Sequence, residues 1–166
     1  RKESSAASDV YKRQLDHSPV DKVSLAHELE TSKLYLDIEK VRFAERLRID
    51  IDIEKKAELA MVPTMLLQPL IENSIKYAIS QSETGGTIRI SAQIKAETLV
   101  LQVADDGPGV PLLDGENDGS VFSQGVGISN IRNRLQGIYS LKHKLIFSNA
   151  DSGGLIVTVE IPYDRQ

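Results

Sequence analysis

Between Thr87 and Ala104 the chain reads as two strands, TIRISAQIKA and LVLQVA, with only a tight connection near Glu97 between them. Strands joined so closely pair antiparallel, because a parallel partner needs a crossover of a dozen residues or more. Lys144–Asn149 and Leu155–Ile161 repeat the arrangement, with Ser152-Gly153-Gly154 turning between them. Arg46–Ile53 (RLRIDIDI) alternates charge and apolar residue at period two, the pattern of a half-buried strand. Helical patterns interrupt these strands. From Val20 to about Phe43 an apolar face recurs at Leu25, Leu29, Ser32, Leu36 and Phe43, with Ser24 or Asp21 placed to cap its start. Pro63 suits the first position of a second helix, whose apolar-rich run continues to Ile79. Pro69 removes a backbone donor inside that run, so a kink or a late helix start is expected there. A third helix opens at Gly125-Val126-Gly127-Ile128 and runs to about Tyr139. Mixed elements with hairpin-linked late strands specify the α+β class, with a largely antiparallel sheet.

The chain of 166 residues is long enough for one domain with a substantial core. A net charge of −4 with scattered Lys and Arg shows no basic stripe, so no nucleic-acid partner is expected. Zero cysteines exclude disulfides and thiolate metal sites and fit a reducing compartment. No apolar run approaches the ~18 residues of a membrane helix, so any anchor lies outside this chain. Residues 1–14 are polar and without apolar period, and are expected to be an unstructured or appended tail.

The segment LLQPLIENSIKYAI, residues 66–79, places Glu72, Asn73, Lys76 and Tyr77 within six residues on an otherwise apolar helix. An amide oxygen can ligate a hard cation, an ammonium can hold a phosphate, and a ring can cover a base. A solvated amphipathic face explains the segment equally well when it is taken alone. Three features follow it. Val103-Ala-Asp105-Asp106-Gly107-Pro-Gly109 puts a carboxylate at a strand end, with glycines beyond it that allow a flat ligand close to the backbone. By itself that motif reads more readily as a turn. Gly125-Val126-Gly127-Ile128 precedes a helix whose first amides can hold phosphate oxygens, although an ordinary capped start explains it too. The Ser152-Gly153-Gly154 hairpin, taken singly, is a turn.

Together, in this order, the parts resemble the ATP-binding fold shared by gyrase-type ATPases, heat-shock chaperones, histidine kinases and MutL mismatch-repair proteins. Within that superfamily residues 20–163 are most similar to the catalytic domain of LytS-like sensor histidine kinases. The phrases that carry the likeness are YLDIEKVRFAERL, VPTMLLQPLIENSIKYAI, VADDGPGVP, GVGISNIRNRL and SGGLIVTVEIP. The resemblance implies a two-layer α/β sandwich whose mixed, mostly antiparallel sheet is covered by helices on one face. It implies a connector helix at residues 15–44, leading from an absent phosphoacceptor module, and a catalytic domain at 45–166 with an ATP lid at about 107–124.

The ligands implied are ATP and Mg2+. Asn73 matches the asparagine that ligates Mg2+, and Glu72 the acid that assists the acceptor histidine or a water. Lys76 is similar to the phosphate-side cation and Tyr77 to the ring near adenine and ribose. Asp105 matches the aspartate that reads the adenine amino group. Gly107 and Gly109 match the first glycine box, and Gly125, Val126, Gly127 and Ile128 the second. Two positions depart from the family. Pro69 stands where many histidine kinases carry a second asparagine, and Leu155 follows the Gly-Gly hairpin where a threonine is common. His17, His27 and His143 lack the acceptor setting, so the acceptor is expected in an upstream domain and turnover in isolation is expected to be small. A response regulator downstream, and a cytoplasmic place in a membrane-anchored protein, are further implications. The alternatives are a non-catalytic nucleotide-binding or interaction module, and an anti-sigma-type serine kinase of the same superfamily.

Overall fold

The structure, a computed structural model, describes residues 21–109 and 126–165. Among these residues the elements run β1 (Lys22–Ser24), α1 (Leu25–Phe43), β2 (Leu47–Ile53), β3 (Met61–Pro63), α2 (Leu67–Ser74), β4 (Gly86–Lys95), β5 (Thr98–Asp105), α3 (Val126–Tyr139), β6 (Lys144–Asn149) and β7 (Leu155–Pro162). Short 3₁₀ turns fill Ala44–Arg46 and Ala57–Leu59, and α2 runs straight into a π-helical turn at Ile75–Ile79.

The main sheet has the order β2-β4-β5-β7-β6. The two hairpins expected from the sequence, β4–β5 and β6–β7, form with antiparallel registers. β2 pairs with β4 in parallel, Leu47 opposite Gly86 and Ile53 opposite Ala92. The connection between those two strands carries β3 and α2, so α2 is the crossover that parallel pairing demands.

Alternation decides which face the helices cover. Ile88, Ile90 and Ala92 of β4, Leu99, Leu101 and Val103 of β5, and Val157, Val159 and Ile161 of β7 are buried in one cluster with Leu36, Phe43, Leu70, Ile71, Ile75, Ile79, Ile131 and Leu135. Each such Leu or Ile contributes about 1.5–3 kcal/mol on burial. The opposite face is polar. Asp50 pairs with Arg89 at 2.9 Å, and Gln102 donates to Thr158 Oγ1 at 3.1 Å.

α1 starts where the sequence offered two caps: Ser24 takes the role, its Oγ accepting the His27 N–H at 3.2 Å. The helical pattern assigned from Val20 begins later than expected, because Lys22–Ser24 pairs with Met61–Pro63 as a small second sheet. Pro63 is therefore a strand residue and not a helix start. The pairing leaves its missing N–H no bond to break, and α2 begins at Leu67. This makes Pro69 a first-turn residue, where backbone donors lack internal acceptors, and the late start expected of Pro69 is what forms. Leu25, Leu29, Leu36 and Phe43 of α1 join the common core, while Leu34, Ile38 and Val41 are exposed on its far side.

Candidate active site

Around residues 66–79 the chain repeats every four residues. Leu66-Leu67, Leu70-Ile71, Ser74-Ile75 and Ala78-Ile79 are buried, and Gln68-Pro69, Glu72-Asn73 and Lys76-Tyr77 lie between them. In a pure α-helix a four-residue repeat drifts about 40° per step, because a turn takes 3.6 residues. The π turn at Ile75–Ile79, closed by Ser80 N–H to Ile75 O at 2.9 Å, winds more slowly and cancels that drift. Both polar pairs of the second half consequently keep one direction. Asn73, Lys76 and Tyr77 stand three and four residues apart, so their shared helix face is legible in the sequence; the π turn is not.

That direction faces a cleft of about 200 Å³ lined by Pro69, Glu72, Asn73, Lys76, Tyr77, Gly127 and Ile128. Six residues expected from the sequence thus meet, four from the α2 run and two from the start of α3. Asn73 is half-buried, whereas Glu72, Lys76 and Tyr77 are exposed. The Lys76 ammonium sits 5.1 Å from the centre of the Tyr77 ring, and Gln68 Nε2 donates to Glu72 Oε1 at 3.1 Å. Position 69 makes a helix contact and supplies no ligand: a Cβ on Gly127 would stand 3.4 Å from Pro69 Cβ. Gly125 and the expected lid lie outside the described residues apart from Gly107, Pro108 and Gly109, and of Val126 only its place at the head of α3 is described.

Asp105 is not in the lining of this cleft. It continues the helix-facing row Leu99, Leu101, Val103 and packs on the neighbouring flank of the same helix run. There its carboxylate accepts a hydrogen bond from the Ser74 side chain. Its Oδ1 also accepts the N–H groups of Gly107 at 3.0 Å and Leu155 at 3.3 Å. Burial pushes the carboxyl above its ordinary value and the Asp106 charge adds to this, against the three hydrogen bonds. Gly107 is required by proximity, since a Cβ there would come within 2.5 Å of Ala78 Cβ. Gly154 (φ 100°) brings the hairpin so close that a Cβ would strike the Asp105 carbonyl. Gly109 lies beside Asn149 and Gly154 at the same sheet end. The departure at Leu155 has a simple resolution: what this position gives Asp105 is a backbone N–H, while its side chain is buried.

Two residues that the sequence reading did not single out hold the start of α2. Glu28 of α1, only 6% exposed, accepts the N–H of Met65 at 2.9 Å and of Leu67 at 3.4 Å. It replaces the cap that Leu66 cannot supply. Arg134 of α3 donates to the carbonyls of Met65, at 3.4 Å, and Thr64. Between them Met65 is held at φ 59°, a left-handed conformation that costs a non-glycine residue about 1–2 kcal/mol. Glu28 did leave a trace, as an acid on the apolar face of α1; Arg134 left none. His27 is exposed on α1, His143 is bound at 2.6 Å to the Ser140 carbonyl, and His17 lies outside the described residues.

The family model described as histidine kinase-, DNA gyrase B-, and HSP90-like ATPase matches residues 61–165. A curated relative, sensor protein LytS of Enterococcus faecalis, is 29% identical over 149 residues, covering 87% of this chain and 25% of its own length. The chain thus spans about a quarter of the length of such relatives. The catalytic domain of histidine kinase ThkA superposes with a TM-score of 0.68 at 18% identity, covering 88% of this chain and 98% of that domain. ThkA in complex with the response regulator protein TrrA gives 0.65 at 16% identity, covering 98% of this chain and 49% of that one. Among the described residues no helix is long and apolar enough to cross a membrane. The chain belongs to the histidine kinase-, DNA gyrase B- and HSP90-like ATPase family, as an ATP-binding catalytic domain of the sensor histidine kinase kind.

Proposed function

We propose that this domain binds ATP with Mg2+ in the α2–α3 cleft and passes the γ-phosphoryl to a histidine in an upstream domain of the whole protein. The observation that carries the reading is the meeting of Asn73, Lys76 and Tyr77 with the start of α3 at Gly127 and Ile128. Asp105 sets the adenine register by accepting from the exocyclic amino group. The Lys76 ammonium and the first amides of α3 hold phosphate oxygens.

The donor set suits Mg2+. No cluster of three or more acidic or histidine ligands exists among the described residues, so the protein share falls to the Asn73 amide oxygen, beside Glu72, with phosphates and water completing the shell. When bound, the ion neutralises charge on the phosphates. In the transfer an imidazole nitrogen bonds to the γ-phosphorus as the bond to the β–γ bridging oxygen breaks, and ADP leaves with the electron pair. Glu72 or a water takes the ring proton.

The connector role falls to α1. In support, its Glu28 touches the first turn of α2, and its exposed Leu34, Ile38 and Val41 form an apolar stripe that the domain itself does not use. A response regulator as the next recipient and a cytoplasmic location complete the reading, in line with the sensor-kinase relatives. Replacing Asn73 with Ala tests the core of it by calorimetry. Mg·ATP affinity should fall at least tenfold and lose its Mg2+ dependence; unchanged binding would remove Asn73 as the ligand.

A further inference from the structure

Glu72 and Lys76 stand four residues apart with the acid on the N-terminal side, the order that best favours an ion pair along a helix. The π turn strengthens that expectation, because it keeps both residues facing the same cleft. Yet no ion pair joins them. Each is taken up instead by an uncharged neighbour. Gln68, one turn back along α2, donates from Nε2 to Glu72 Oε1 at 3.1 Å, and the Lys76 ammonium lies 5.1 Å from the centre of the Tyr77 ring.

The chemistry of Gln68 suits this separation. A carboxylate only accepts hydrogen bonds, so the Gln68 amide must turn its nitrogen to Glu72. Being neutral, the amide holds the carboxylate without cancelling its charge. It does so from the start of α2, on the side of Glu72 opposite to Lys76 along the helix. Gln68 is the half-buried member of the pair and Glu72 the exposed one, so the amide is the anchor and the carboxylate the group it holds. A closed Glu72–Lys76 pair would occupy both groups at once. The ammonium would then be lost to phosphate oxygens, and the carboxylate to the proton of an acceptor ring.

We propose that Gln68 is a positioning residue for phosphoryl transfer: it keeps the Glu72 carboxylate off Lys76, so that the cation stays open to phosphate and the acid to the acceptor. The inference rests on the function proposed above, which gives Glu72 and Lys76 their separate tasks.

The test uses the full-length protein, with Mg·ATP affinity read by calorimetry and autophosphorylation followed against ATP concentration. Gln68→Met keeps the length and helix preference of the side chain and removes its donor. Glu72 then closes on Lys76, and Mg·ATP affinity should fall about twofold, the strength of one such helical pair. Autophosphorylation at saturating ATP should fall about fivefold, the strength of one hydrogen bond. In a Glu72→Gln background the same change should leave affinity and rate where Glu72→Gln alone puts them, because no carboxylate remains to close on Lys76. Equal losses in both backgrounds would overturn the proposal and make Gln68 a structural residue of α2. Wild-type affinity in Gln68→Met, whatever the rate, would overturn it too and leave Lys76 indifferent to the contact. Absence of Mg·ATP binding by the unsubstituted protein would instead remove the underlying function and this inference with it, an outcome visible without any variant.

Discussion

Asp105 is an acid pressed against its own backbone, and its protonation has two opposed consequences. Burial raises its pKa in the folded protein above the ordinary 3.8. The folded state thus holds this proton more tightly than the unfolded chain does. The stability so gained is complete below 3.8 and disappears as pH rises through the raised value. The adenine recognition proposed for Asp105 runs the other way, since an exocyclic amino group donates more strongly to the charged carboxylate than to the neutral acid. ATP affinity should therefore weaken as pH falls through the raised value, towards a tenfold loss per unit, while Asp105→Asn shows no such slope. The same substitution should narrow the preference for ATP over GTP, because the guanine edge presents an acceptor at the corresponding position. Calorimetry with both nucleotides across acidic pH checks both expectations. Asp105 was legible because a strand-end acid followed by spaced glycines has a recognisable form. Glu28 and Arg134 were not, because their partners are backbone groups 37 and 69 residues away in sequence, whose identity leaves no mark on the side chains.

Among the elements, strands declared themselves best. Their period of two and their turn residues are local properties, and β6 falls at the residues expected of it. Pro63 misled because its fixed φ serves a strand end as well as a helix start, and the deciding partner, β1, is remote. The β4–β5 hairpin exposes a further local conflict. Its two turn residues, Ala96 (φ 44°) and Glu97 (φ 64°), are both left-handed, the geometry of a two-residue turn that favours Asn-Gly. Both side chains are exposed, and the one bond to the turn is accepted by a backbone carbonyl, from Tyr163 at 2.8 Å. Ala96→Asn with Glu97→Gly should raise stability by about 0.5–1 kcal/mol, read as a higher urea midpoint with an unchanged slope. Nucleotide affinity should not move, since the turn lies at the end of β5 opposite to Asp105.

At the scale of the molecule, ligand and fold share one equilibrium. ATP with Mg2+ at a hundred times its dissociation constant should stabilise the domain by about 2.7 kcal/mol, which for a chain of this size means roughly 5–10 °C in thermal midpoint. Differential scanning fluorimetry with and without chelator measures this, and Asn73→Ala should abolish most of the Mg2+-dependent part. The architecture was readable in outline because hairpins are short-range. The pairing that completes it, β2 with β4, was not, because its evidence is spread over the 32 residues that separate the two strands. That pairing has a kinetic side. The hairpins can zip locally, but β2 reaches β4 only after α2 has crossed the sheet, and such non-local closure comes late. β2 is also an edge strand with a single neighbour, the kind of element that opens first in partial unfolding. The helix that bears Asn73 is the strap fastening that edge. A transient detachment of β2 therefore slackens the nucleotide wall, and bound nucleotide should slow hydrogen exchange along Leu47–Ile53, a strand it never touches.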